Sequence, residues 1–362
     1  MFRTGYITSF RGDLVWFLGL PFFALGFALA SQAWLPPIAM VSVALWIEVP
    51  HHFTTLLRTY GLADDWSRFK DRLIIGPLVI VSMTVLGLCY APLSVALLTS
   101  MWNQQHFLMQ LHGFSRIYDF KARAGAPDSG KWDMALNWVL YGNMFLTAPL
   151  FVKMWLRELY RYHVPVSANA VQIIELLSWS ATAIFLVLYT AYQVSSYRKG
   201  HALNPVKYLY IFLSYGVLYI VSWHTASVLV HAIANMVMHG IQYNVIVYWY
   251  IRRKIEQTDD RRGLLAALVR PGNGVVFVLF CLLYAVIFQV LSGRPLHDFG
   301  FGLFGDITSG YDAIPQLRMD RLNPQAGFEI VAVALLSLPG LLHLYYDSFI
   351  WKVRDAKVQT GL

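Results

Sequence analysis

YLYIFLSYGVLYIVSWHTASVLVHAIANMVMHGIQYNVIVYWYI, residues 208–251, runs for 44 residues without an Asp, Glu, Lys or Arg. A helix needs about 20 apolar residues to cross a bilayer. The run is therefore too long for one span and divides into two, 208–222 and 226–251, near Ser222–Thr225. Backbone polar groups inside lipid must be satisfied within the segment, so such runs are helices. This reading sets the fold class: an all-α, polytopic integral membrane bundle. The second half also carries His231, Asn235 and His239 at spacings of four, which places them on one helix face.

The whole chain agrees with that stretch. Of its 362 residues, 57% are hydrophobic and 13% charged, and the mean hydropathy is +0.51, which excludes an ordinary soluble domain. The formal net charge of +8 would suit nucleic acid, but the positive residues flank apolar segments, where they set topology. No nucleic-acid partner is expected. Cys89 and Cys281 both sit in apolar stretches, and no CxxC occurs, so neither a disulfide framework nor a thiolate-bound cluster is implied. The start, MFRTGYITSFRGD, is polar and leads into a long apolar stretch, which reads as a retained first helix, not a cleaved signal.

Outward from 208–251, ten spans are expected: 14–32, 36–58, 73–90, 93–118, 133–152, 170–195, 208–222, 226–251, 274–292 and 327–351. With both termini cytoplasmic, only Lys153, Arg157, Arg161, Arg294, Arg318 and Arg321 of the 28 basic residues fall outside. The exceptional stretch KMWLRELYRYHV, 153–164, is expected to be an amphipathic interfacial helix. Residues 1–362 read as a single transmembrane domain with an external loop over 293–325 that carries His297, Asp298, Asp306 and Asp312.

Four of the spans hold ionisable groups. Glu48, His51 and His52 lie in WIEVPHHF (46–53), and His106 and His112 in QQHFLMQLHG (104–113). His231 and His239 lie in HAIANMVMHG (231–240), and His343 and Asp347 in HLYYDSF (343–349). Such groups are costly in a bilayer and mark function by default. At 1.5 Å per residue, Glu48, His106 and His239 fall within about 2 Å of mid-span, and His52 and His343 about 6–7 Å to the cytoplasmic side. His112 lies about 9 Å to that side, and His231 about 10 Å the other way, the poorest fit. Glu48 and His52 share a face, as do His343 and Asp347, and Pro50 is expected to interrupt its helix.

A lone membrane histidine is more often an interhelical hydrogen bonder than a ligand. Four segments at similar depth reverse that balance and point to one metal site. Neutral imidazole suits iron, copper and zinc, and added carboxylates favour non-haem iron. The expected ligands are His51, His52, His106, His112, His231, His239 and His343, with Glu48 or Asp347 as the catalytic carboxylate, a set large enough for two ions. Gln105, Gln110, Asn235 and Tyr243 are expected to anchor the ligands' second nitrogens. His163, His201, His224, His297 and Glu175 are left as structural or surface groups.

Glu48-Val49-Pro50-His51-His52 resembles the HxxHH box of membrane fatty-acid desaturases and hydroxylases, with Glu in place of the first His. An HxxxH box and a second HxxHH box are absent, and ten spans differ from that family's four-helix layout. Single histidines scattered over many helices are similar in layout to the bacterial Brp/Blh carotene dioxygenases, which are polytopic and bind iron through such residues. Both resemblances imply an iron-dependent oxygenase, hydroxylase or desaturase in a bacterial inner membrane. It would act on a lipid-soluble substrate among membrane lipids, with dioxygen and an electron-donor protein at the cytoplasmic face. The alternatives are a proton-coupled or metal-ion transporter built on the same groups, a zinc or copper site, and bis-histidine haem.

Overall fold

The computed structural model describes residues 1–161, 163–225, 227–258, 263–292 and 327–362. The loop 293–325, with His297, Asp298, Asp306 and Asp312, lies outside the described residues. The described chain is helical with no strand; its β feature is an isolated bridge between Phe2 and Leu203. The long helices are α1 (Phe10–Trp34), α2 (Pro37–Gly61), α3 (Ala63–Tyr90), α4 (Pro92–Ala122), α5 (Ser129–Thr147) and α6 (Pro149–Arg161). They continue as α7 (Ala168–Arg198), α8 (Pro205–His224) and α9 (Val228–Thr258). After the short α10 (Gly263–Leu268) come α11 (Gly274–Ser292), α12 (Gly327–Ile350) and the short α13 (Ala356–Gly361).

Every expected span except 133–152 falls on a single helix, including the two halves of 208–251. The largest shift is in α3, which begins at Ala63 instead of 73. Asp64 and Asp65 in its first turn favour the positive end of the helix dipole and carry it past its apolar part. The expected span 133–152 is not one rod. It ends at Thr147, and α6 restarts at Pro149 after a 70° bend, with Pro at the first helical position, where its missing N–H costs nothing. The amphipathic helix expected from residue 153 is α6, four residues longer at its start. Pro50 does not interrupt α2, which runs through it, and Pro339 lies inside α12 in the same way. Neighbouring helices and side chains in membrane bundles tolerate such prolines.

Among the described residues, five helices are long and apolar enough to cross a membrane: Phe10–Trp34, Ala63–Tyr90, Ala168–Arg198, Pro205–His224 and Ile330–Ile350. The bent pair Ser129–Thr147 and Pro149–Tyr160 makes a sixth if taken as one span. This is an integral membrane protein by composition and length of helix. Three histidine-bearing helices, α2, α4 and α9, fall outside this group, since their polar residues lower the local hydropathy.

The chain forms two compact units, Met1–Ala33 with Leu108–Met238, and Trp34–Phe107 with His239–Leu362. In the first, Phe17 meets Phe114 (5.1 Å), Tyr118 (6.5 Å) and Tyr210 (6.5 Å) edge-on. Beside these rings lies a buried charge network. Lys207 Nζ reaches Asp119 Oδ2 (2.9 Å) and Asp133 Oδ2 (3.1 Å), while Arg116 Nη1 donates to Asp119 Oδ2 (2.8 Å) and approaches Asp133 Oδ2 (3.3 Å). Tyr189 donates to the other oxygen of Asp133 (2.7 Å).

In the second unit, α2 packs on α3, α11 and α12, and α12 packs on α3. Its core includes Phe69, Leu73, Leu342, Tyr346, Phe349 and Ile350. Arg58, expected in a cytoplasmic loop, is fully buried near the end of α2. It pairs with Asp65 (3.0 Å), donates to the Ile350 carbonyl (2.8 Å), and lies between the rings of Tyr250 (3.9 Å) and Trp351 (3.8 Å). A guanidinium suits this place because its flat face stacks while its edge donates. Buried Lys207 likewise departs from the loop cation expected of it. Topology arguments count such residues by sequence position, which carries no information on pairing.

Candidate metal centre

The second unit brings His51 and His52 of α2, His106 of α4, His239 of α9, and His343 and Asp347 of α12 into one cluster. His51, His106, His239 and His343 are buried. Close backbone approach makes room for them. A side chain at Gly240 would stand 3.1 Å from the Ile47 carbonyl and 3.3 Å from His51 Nδ1, so α9 meets α2 closely only with Gly there. At Gly340, a Cβ would lie 3.4 Å from His52 Cε1.

Four imidazoles form a closed quadrilateral. His51 lies 4.7 Å from His239 and 4.5 Å from His343, and His106 lies 4.9 Å from His239 and 4.6 Å from His343. The diagonal from His239 to His343 is 5.8 Å. All four sides are near-perpendicular ring pairs, at 88°, 81°, 84° and 76°. His51 Nε2 and His239 Nε2 share a hydrogen bond of 3.2 Å. Two nitrogens each about 2.1 Å from one ion would be about 3.0 Å apart as octahedral neighbours and about 3.4 Å as tetrahedral ones. The observed separation lies between these.

His343 follows a ligand's pattern, with one ring nitrogen anchored and the other unpartnered. His343 Nδ1 meets Thr55 Oγ1 (2.7 Å), Thr55 Oγ1 meets Tyr243 Oη (2.7 Å), and Tyr243 donates to Asp347 Oδ1 (2.6 Å). Trp351 Nε1 donates to Tyr243 Oη (3.3 Å). Three bonds in this chain need three protons. An ionised Asp347 only accepts, so the Tyr243 proton goes to it, and the Thr55 proton then goes to Tyr243. With Asp347 ionised, His343 supplies the third from Nδ1 and keeps a lone pair on Nε2. His343 Nε2 and His106 Nε2 are buried without a hydrogen-bond partner. The approach of His106 Nε2 to Asp347 Oδ2 is 3.9 Å, too long for a hydrogen bond. Buried nitrogens left unmade cost stability, and a metal ion would satisfy them.

Two ligand triads arise, His51–His239–His343 and His106–His343–Asp347, each with its ligand atoms within 4.8 Å of one another. They share His343, whose Nδ1 is engaged by Thr55. Replacing Thr55 with Val keeps the shape and removes this anchor. Metal affinity is expected to fall by about 10–100-fold with the fold intact. A chelator competition titration measures it, and an affinity equal to wild type would detach Thr55 from the site.

The remaining expected ligands lie elsewhere. Glu48, half-buried on α2, belongs to neither triad. His52 stacks 4.4 Å from His51 and 5.2 Å from His343, beside the quadrilateral and not in it. His112 and His231 belong to the other unit. There His112 has Asp133, Arg116 and Lys207 as charged neighbours, while His231 meets Ser222 Oγ through Nδ1 (3.2 Å) and packs on Phe151 (4.9 Å). Tyr243 bonds Thr55 and Asp347 and no histidine nitrogen, so the direct anchor of His343 is Thr55 and not Tyr243. Thr55 itself was not singled out; four residues after His51 on the same helix, its spacing was the available signal. No protein-family model, curated protein or solved structure matches the chain.

Proposed function

We propose that this chain is a membrane-embedded, metal-dependent oxidoreductase in which His51, His106, His239 and His343 hold an iron ion. It would use dioxygen to hydroxylate, desaturate or cleave a lipid-soluble substrate. The observation that carries this reading is the quadrilateral of edge-on imidazoles, with two buried Nε2 atoms that have no hydrogen-bond partner. Imidazole alone suits zinc, copper or iron, and the carboxylate of Asp347 beside His106 favours iron. Rings this close to one another leave no slot for a porphyrin between any two, which argues against haem.

We place a single ion at His343, the residue that the two triads share. Because Thr55 occupies His343 Nδ1, a second ion would retain only His106 and Asp347 from this cluster. Iron held there would bind and activate dioxygen. The chain's own part is to fix the imidazoles, set the His343 tautomer, and keep the centre in an apolar interior. The likeness in layout to bacterial carotene dioxygenases supports a bacterial inner membrane and an apolar substrate reached from the lipid.

Oxygen uptake by purified, iron-loaded protein, given a reductant and an apolar lipid extract, tests the reading. Wild type and His201→Ala are expected to consume oxygen, and His239→Ala to lose uptake. His201 lies beyond the end of α7 in the other unit and serves as the control. Equal uptake by the His239 variant, or none by wild type, would overturn it.

A further inference from the structure

We propose that Trp351 and Tyr243 form the route by which single electrons reach the histidine-bound metal from outside the protein. This rests on the metal reading above and narrows it. A centre with a built electron route belongs to a reaction that consumes external reducing equivalents, hydroxylation or desaturation, and not cleavage by dioxygen alone.

The aromatic side chains are placed in series. The Tyr243 ring stands 4.9 Å from His343 at 90°, and 6.0 Å and 6.2 Å from His51 and His239. On its other side Trp351 is 6.0 Å away and joined to it by the indole N–H. Trp351 is half-buried at the end of α12, followed by Lys352, and lies 5.4 Å from Tyr250. Tyrosine and tryptophan are the side chains that most readily give up one electron. No other cluster among the described residues links a candidate redox centre to a partly exposed indole.

Charge and proton balance close at Tyr243. Tyr243 would pass one electron to a ferric ion held by the histidines, and its phenolic proton would move along the 2.6 Å hydrogen bond to Asp347. The neutral radical so formed adds no charge to the apolar interior, where an unpaired one is costly. Trp351 then supplies an electron, Tyr243 recovers its proton from Asp347, and an external one-electron donor of the reduced flavin or iron–sulfur class refills Trp351. The net change is one donor oxidised and one ferric ion reduced. Arg58, stacked 3.8 Å over Trp351, disfavours a cation resting on the indole, so the hole is stored on Tyr243.

The test is freeze-quench EPR of the ferric signal in the full, iron-loaded chain mixed with photoreduced flavodoxin, with iron content measured on the same samples. Trp351→Phe and Trp351→Leu should retain wild-type iron, yet be reduced about tenfold more slowly or worse, the usual scale for losing an outer partner of a metal site. Tyr243→Phe should be as slow, while Trp34→Phe, at the exposed end of α1, should match wild type. Iron-replete Trp351→Leu that is reduced at the wild-type rate would overturn the route and leave the metal site standing. A wild-type chain that binds no iron would overturn both.

Discussion

Replacing His343 with Ala is expected to strip the metal from the protein while leaving it folded in the membrane. His343 belongs to both ligand triads, and its Nε2 is one of the buried nitrogens with no other partner. Losing one ligand opens the coordination shell that both triads share. Folding depends on it far less, because an interhelical hydrogen bond in a membrane averages only about 0.6 kcal/mol. Elemental analysis per mole of chain, beside thermal unfolding followed by tryptophan fluorescence, separates the two effects. Metal near zero with a nearly unchanged midpoint is the expected result. Full occupancy would remove His343 from the centre.

The largest effect on stability is expected at Lys207→Met. The ammonium is 1% exposed and lies between Asp119 and Asp133, which are 1% and 0% exposed at their side chains. Methionine fills the space but leaves two buried carboxylates with Arg116 alone, itself 29% exposed. Removing one partner from a buried ion pair costs about 3–5 kcal/mol, chiefly because the remaining charge stays desolvated. A second change, Asp119→Asn, should recover part of the loss by removing one orphaned charge. Denaturant titration in detergent checks both. A Lys207→Met protein as stable as wild type would mean that water reaches this network.

The fold class was legible because lipid imposes a simple rule: long stretches without charge become helices. The stretches are helical, with 133–152 split in two, but among the described residues five helices, or six with the bent pair, are long and apolar enough to cross; the division of 208–251 near Ser222–Thr225 followed from length alone. What hydropathy cannot supply is the direction of the chain after a proline. Pro149 starts a new helix at 70°, whereas Pro50 and Pro339 sit inside continuous ones, and tertiary packing decides between these outcomes. At the site, depth along the helix placed His106 and His239 together and marked His231 as the poorest fit. Depth fixes height only, not the azimuth of a helix or its neighbours. It therefore admitted His112 and His231, which fall in the other unit, and favoured the face of His52 over that of His51. The Arg58 contact with Ile350 and the Asp119–Asp133–Lys207 network depend on partners far apart in the sequence, which no local pattern encodes.

X-ray absorption at the iron edge of purified wild-type protein tests the central claim most directly. The account predicts about one iron per chain with a first shell of light atoms at about 2.0–2.2 Å, and the outer scattering of several imidazole rings. His343→Ala should lose the signal. A sulfur shell, a porphyrin pattern, or a chain that takes up no iron when reconstituted would contradict it.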